Sequence, residues 1–166
     1  LEEGVDFAKM ELDRGVVRLE YTSVNPNKAL HIGHARNVAL GVALNRLLTY
    51  VGYDVELLNY IDDTGTQMAD IILGFLYLGY DANYSGGRFD QYCGDVVYTG
   101  SHEKIESEEE LKRKRRDILK LIEEGRNVVS SFTRMIAEKV LREQLKTCWR
   151  LGAEYDKLIW ESDIVW

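Results

Sequence analysis

Hydrophobic and polar positions change rhythm along the chain, and each rhythm predicts an element. Val16-Val17-Arg18-Leu19-Glu20-Tyr21 is rich in β-branched and aromatic side chains and predicts a strand. Val38, Leu40, Val42, Leu44, Leu47, Leu48 and Val51 then give a broad apolar face at helical spacing. Gly52 stands where a C-terminal glycine would end that helix. Residues 54–60 alternate well enough for a second strand. Strand, helix and strand make one β-α-β unit, whose strands should be parallel.

Beyond it, Ile71, Ile72, Phe75 and Leu76 predict a helix over about 67–78. Residues 81–100, with Tyr84, Gly86, Gly87, Tyr92, Cys93 and Gly94, keep no steady period and read as loop-rich. Ser107 and Glu110 fit a capping box, with Glu108 and Glu109 at the positive end of the helix that follows. Gly125 breaks that helix. A longer one should cover about 127–151, carrying Val129, Phe132, Ile136, Val140, Leu141, Leu145 and Cys148 near one face. Lys157-Leu158-Ile159-Trp160 returns to strand, and residues 1–15 read as a connection with a short helix around Phe7 to Leu12. No internal repeat or low-complexity linker interrupts the pattern.

At 166 residues the chain is one to two domains, long enough to bury a core. Its 45% hydrophobic and 30% charged residues are ordinary for a soluble globular protein. No apolar run approaches the roughly 18 residues of a membrane span, and nothing resembles a signal peptide. The start, Leu1-Glu2-Glu3, lacks an initiator methionine, which suggests a piece of a longer protein. Cys93 and Cys148 lie far apart without metal-type spacing, so reduced thiols and a cytoplasmic setting are expected. A formal charge of -7 argues against general affinity for nucleic acid, though not against a local basic patch.

The chemistry concentrates in Ser23-Val24-Asn25-Pro26-Asn27-Lys28-Ala29-Leu30-His31-Ile32-Gly33-His34-Ala35-Arg36-Asn37. This loop leaves the first strand and enters the first helix, a position where open α/β sheets bind ligands. The helix N-terminus favours an anion. His31 and His34 can donate to phosphate oxygens, Lys28 adds a positive charge, and Gly33 lets a flat ring or phosphate approach the backbone. A zinc pair and two ordinary surface histidines at a helix start are the rival readings; no other histidine or cysteine cluster completes a zinc site, and His102 sits in a charged stretch.

Elsewhere the plain readings lead. The basic run Lys112 to Arg116 reads as a solvated helix face rather than an RNA patch. Trp149, Tyr155 and Trp160 read as core rather than ligand stackers. Asp62 and Asp63 could serve acid–base work, with turn formation and N-capping of the next helix at least as good an explanation. Glu161, after a predicted strand, could accept paired hydrogen bonds from a guanidinium.

His31-Ile32-Gly33-His34 resembles the signature tetrapeptide of class I aminoacyl-tRNA synthetases. The longer run from Ser23 to Asn37, and Asn59-Tyr60-Ile61-Asp62-Asp63-Thr64-Gly65-Thr66-Gln67, resemble two blocks of arginyl-tRNA synthetases in the right order and separation. The resemblance implies an α/β fold: the first half of a Rossmann-like nucleotide-binding fold with a mostly helical insertion. Residues 1–80 would hold the first half with the signature loop, 81–151 the insertion, and 152–166 a truncated return toward the sheet. It implies an enzyme that activates arginine with ATP to arginyl-adenylate and transfers it to tRNA. Lys28, His31 and His34 would be catalytic; those three and Gly33 would bind ATP. Ser23, Asn25, Gln67 and Glu161 would bind arginine. ATP with Mg2+ would be substrate, with no tightly bound cofactor and no protein-held metal. Partners would be arginine, ATP and tRNA, with no membrane and an oligomeric state that the sequence does not give. The piece alone is expected to be inactive. A small adenylyltransferase of the same superfamily and a non-catalytic nucleotide-binding module are the alternatives.

Overall fold

Two strands pair first. In this computed structural model, which describes residues 15–166, β1 (Val16–Glu20) lies parallel to β2 (Asp54–Ile61), in register from Val16 opposite Asp54 to Glu20 opposite Leu58. The short helix expected around Phe7 to Leu12 lies outside the described residues. On the other side of β2, β3 (Lys157–Trp160) is also parallel, from Leu58 opposite Lys157 to Ile61 opposite Trp160. The order β1-β2-β3 therefore brings three C-terminal strand ends, and the loops that leave them, to one rim.

α1 (Ile32–Tyr50) makes the first crossover and ends before Gly52, whose φ of +94 is glycine territory. On this helix Val38 and Gly41 are buried. Gly41 has to be glycine, because a Cβ there would lie 2.1 Å from the ring of Tyr21. The rest of the predicted apolar face is covered only in part: Leu40, Leu44 and Leu47, at i, i+4 and i+7, are 51%, 47% and 62% exposed.

The second crossover is long and holds most of the core. α2 (Thr66–Tyr77) buries Met68, Ile71, Ile72 and Leu73. Against it pack α4 (Thr99–Ser107), α5 (Glu109–Glu124) and a helical stretch made of α3 (Phe89–Gln91) and a π-helical segment, Tyr92–Tyr98. α6 (Val128–Arg150) adds Ile136, Ala137, Val140 and Leu141 before the chain enters β3 and a last short helix, α7 (Glu161–Val165). Among the described residues no helix is long and apolar enough to cross a membrane.

Two sequence expectations fail here. Residues 89–100 are helical where a loop-rich stretch is expected. The π-helical segment slips the side-chain phase, so a period of 3.6 cannot be followed across it. Its Gly94 is no loop marker: a Cβ there would come within 2.6 Å of the Lys28 Cβ, so the glycine admits the signature loop. Nor do Ser107 and Glu110 form a capping box. Ser107 ends α4 and donates its hydroxyl to the Lys104 carbonyl, while Glu108 occupies the N-cap of α5 without a side-chain bond. The box forms instead at Asn127 and Ser130, opening α6. Both cysteines are free and buried, and burial pushes the Cys93 thiol up to about 12.

Candidate active site

The loop that leaves β1 is bent sharply and held from behind. Thr22 and Ser23 take φ of +81 and +45, a region that side chains with a Cβ seldom adopt. Ser23 donates its backbone N–H to Asn59 Oδ1 at 3.2 Å and its hydroxyl to Glu20. Gln144, buried on α6, donates to the carbonyls of Asn25 (3.0 Å) and Lys28 (2.7 Å). Asn27 is 0% exposed and donates its amide to Gln67 Oε1. Buried amides of this kind hold a backbone in one shape, since leaving them unpaired costs about 1–3 kcal/mol each.

The histidines then cap α1 reciprocally. His31 Nδ1 accepts from the Gly33 N–H at 3.1 Å, and His34 Nδ1 accepts from the His31 N–H at 3.1 Å. Their rings stack with centroids 3.7 Å apart. A neutral imidazole that accepts at Nδ1 carries its proton on Nε2. Both rings therefore present Nε2–H donors, fixed by capping and by stacking. Burial, followed by neighbouring His31 and Lys28, lowers the His34 pKa and favours this neutral form. The amides expected to face an anion are partly used: Gly33 by the His31 ring, His34 and Ala35 by the His31 carbonyl. The imidazoles and Lys28 replace them as the donors of this loop.

A second cluster lies on the same rim, where β2 and β3 end. Glu161 Oε1 accepts from Tyr60 OH at 3.2 Å, and Oε2 accepts from Thr64 Oγ1. The Thr64 bond, joined by those of Asp62 and Tyr60, lowers the Glu161 pKa against the opposing effect of burial. Asp62 is the reverse: burial, then the neighbouring Glu161, raises its carboxyl. Asp62 also accepts from Asn25 Nδ2 at 3.0 Å, which ties the two clusters through the signature loop. The result is an ionised glutamate held by hydroxyls beside a carboxyl biased toward protonation, an arrangement that can receive one cation.

The residues singled out in the sequence thus fall into groups. Lys28, His31, Gly33 and His34 share the capped loop, while Asn25 and Glu161 are joined through Asp62. Ser23 is engaged by Glu20, and Gln67 by Asn27. Asp63 does not cap α2, whose N-cap is Gly65. It is 2% exposed and accepts from Ser162 N (3.0 Å) and Ser162 Oγ (2.6 Å), fastening β2 to α7 next to Glu161. Asn27, Gly94 and Gln144 carry no sequence signal of their own, because each acts through a contact distant in the chain. Among the described residues no three histidines, cysteines or carboxylates converge on a point that could hold a metal ion.

Comparison with known proteins gives the following. The family model described as "tRNA synthetases class I (R), catalytic domain" matches residues 1–157. Arginine–tRNA ligase of Thermococcus kodakarensis is 38% identical over 175 residues, 99% of this chain and 27% of that protein. The Deinococcus radiodurans ligase is 42% identical over 154 residues, 91% of this chain and 23% of that protein. Among solved structures, Thermus thermophilus arginyl-tRNA synthetase superposes with TM-score 0.68 at 36% identity, over 91% of this chain and 24% of that one. The chain spans about a quarter of the length of these relatives.

Proposed function

The chain belongs to the family of class I arginyl-tRNA synthetase catalytic domains, and from that premise we propose that it forms the first half of an ATP- and arginine-binding site in an arginine–tRNA ligase. The observation that carries the proposal is the shared rim: two imidazole Nε2–H donors and Lys28 at one place, and the hydroxyl-held Glu161 carboxylate at another, joined by Asn25 and Asp62.

Amino-acid activation needs a carboxylate to attack the α-phosphate of ATP in line, with pyrophosphate leaving as its magnesium complex. Positioning and charge stabilisation supply most of the rate, so no nucleophile–base pair is called for. In this proposal His31 and His34 donate from Nε2 to phosphate oxygens and ribose, and Lys28 balances developing charge. Gly33 leaves room for the adenine. Glu161 takes the guanidinium, and proximity of that cation drives Asp62 to ionise as well. Ser23 and Asn25 face the amino-acid backbone; Gln67 acts by holding Asn27. Mg2+ belongs to the ATP substrate.

The protein would be cytoplasmic, with tRNA as the final acceptor. The division into residues 1–80, 81–151 and 152–166 is part of the same proposal, and the exposed Leu40, Leu44 and Leu47 stripe is where a second half of the fold would pack. Equilibrium titration with ATP and with arginine, beside a turnover assay on a longer form of the protein, tests the reading. A ligase gives arginine-dependent turnover in the longer form. A small adenylyltransferase turns over without arginine, and a binding module takes up nucleotide without turnover.

A further inference from the structure

Glu161 is the first residue of α7, a helix of five residues without a side-chain cap. A helix this short has too few internal bonds to hold itself in place. The direction of Glu161 is therefore set by what grips the chain around it. Tyr60 and Thr64 donate to its carboxylate. The backbone beneath the carboxylate is gripped from α6.

Arg134 of α6 reaches both chain neighbours of Glu161. Its guanidinium carbon lies 3.7 Å from the centre of the Trp160 ring, on the residue before, and its Nη1 donates to Ser162 Oγ at 2.8 Å, on the residue after. The same nitrogen donates to Asp163 Oδ1 at 2.9 Å and stands 3.7 Å from Asp63 Oδ2, the oxygen that accepts from the Ser162 hydroxyl. On the other side Nε lies 3.4 Å from Glu138 Oε1, one turn along α6, which anchors the guanidinium to its own helix. Trp160 is 8% exposed, so this contact is closed to most solvent. A planar cation can cover a ring with its face while donating from its edge; the compact ammonium of lysine cannot do both. Among the described residues no hydrogen bond or ion pair joins Arg134 to Glu161 itself. Any effect of Arg134 on a ligand of Glu161 at constant charge is therefore an effect of position.

We propose that Arg134 is the positioning residue of Glu161: by clamping Trp160 and Ser162 it fixes the carboxylate, and through it the guanidinium of bound arginine. That the ligand is arginine rests on the ligase reading above; the clamp on Glu161 rests on the geometry alone. A carboxylate meets a guanidinium with two parallel hydrogen bonds, an arrangement that tolerates little rotation of either partner. Small displacements of such a group weaken binding even when every contacting atom is still present. The helical crossover thereby sets the amino-acid end of the rim from behind, as Gln144 of the same helix sets the signature loop.

Two measurements test it. In pyrophosphate exchange by the full-length enzyme, Arg134→Lys keeps the charge and loses the plane. It should raise KM for arginine about tenfold and leave KM for ATP within about twofold. Added to Glu161→Gln it should change KM for arginine by less than about twofold, because both substitutions then act on one contact. Arg115→Lys is the control. Arg115 makes a similar cluster with Glu106 (2.9 Å) and Asp70 (3.6 Å), on α4 and α2, and should leave both KM values unchanged. The second measurement needs no substrate. Carbon NMR of the 166-residue protein follows the Glu161 carboxyl, which the bond from Thr64 holds below the ordinary glutamate range. Arg134→Lys should raise its midpoint, since a displaced carboxylate loses that bond, and Arg115→Lys should not. A Glu161 midpoint unmoved by Arg134→Lys overturns the proposal. So does an unchanged KM for arginine, or a rise that is as large again in the Glu161→Gln enzyme. A raised midpoint beside exchange that ignores arginine upholds the clamp and faults the ligase reading alone.

Discussion

His34 does two jobs in this structure, and substitutions can separate them. Its Nδ1 accepts the His31 N–H at 3.1 Å, closing the cap of α1, while its Nε2–H is left to meet phosphate. His34→Ala removes both. The cap is at a solvent-exposed site, so its loss should cost about 0.5–1 kcal/mol, the low end of capping effects. A lost transition-state donor should lower arginine activation about a hundredfold. His34→Gln keeps an acceptor at the third helical position, where glutamine serves capping boxes. Stability should then return to within about 0.5 kcal/mol of the parent, without recovery of rate, since the flexible amide lacks the donor direction that ring stacking fixes. Urea denaturation of the 166-residue protein reads the first quantity; pyrophosphate exchange by the full-length enzyme reads the second. If glutamine restores rate and stability together, His34 is a structural residue and its assignment to the phosphates is wrong.

Three further outcomes follow from the same geometry. Asp63→Ala strands the Ser162 N–H and O–H, while Arg134 keeps Asp163 at 2.9 Å, and should cost about 2–4 kcal/mol in urea denaturation for the two unpaired donors; a loss under 1 kcal/mol would contradict the fastening role. Glu161→Gln should raise KM for arginine roughly tenfold to a hundredfold and leave KM for ATP unchanged; an effect on ATP alone would move Glu161 to the nucleotide. NMR titration should find His34 protonating below about 6.5, the ordinary histidine value. Because the folded value is the lower one, the unfolded chain binds more protons in that window, so this group's contribution to stability falls as pH drops through it. A midpoint at or above 6.5 would remove the argument for a neutral ring.

What could be read from the sequence was local. The strands, and α1 with its glycine stop, announce themselves within a few residues, through side-chain type and spacing. So do the two histidines. The helical run through 89–100 was hidden because a π-helical segment breaks the period and because Gly94 serves a contact with Lys28 rather than a turn. The hydrogen-bonded role of Asp63, the Gln144 clamp and the Asp62–Glu161 pairing join residues 99 or more positions apart in the chain. No neighbouring pattern specifies them. Trp149, expected to be core, is 57% exposed for a related reason: spacing on a helix of mixed polar and apolar residues does not say which side of it is covered.

The most direct measurement is amino-acid-dependent exchange of pyrophosphate into ATP by the full-length protein, run across the amino acids and with and without tRNA. Exchange should depend on arginine, and the 166-residue chain alone, which spans about a quarter of its relatives' length, should show none. Exchange driven by a different amino acid, or none in the full-length protein even with tRNA, would contradict the assignment of this rim to arginine activation.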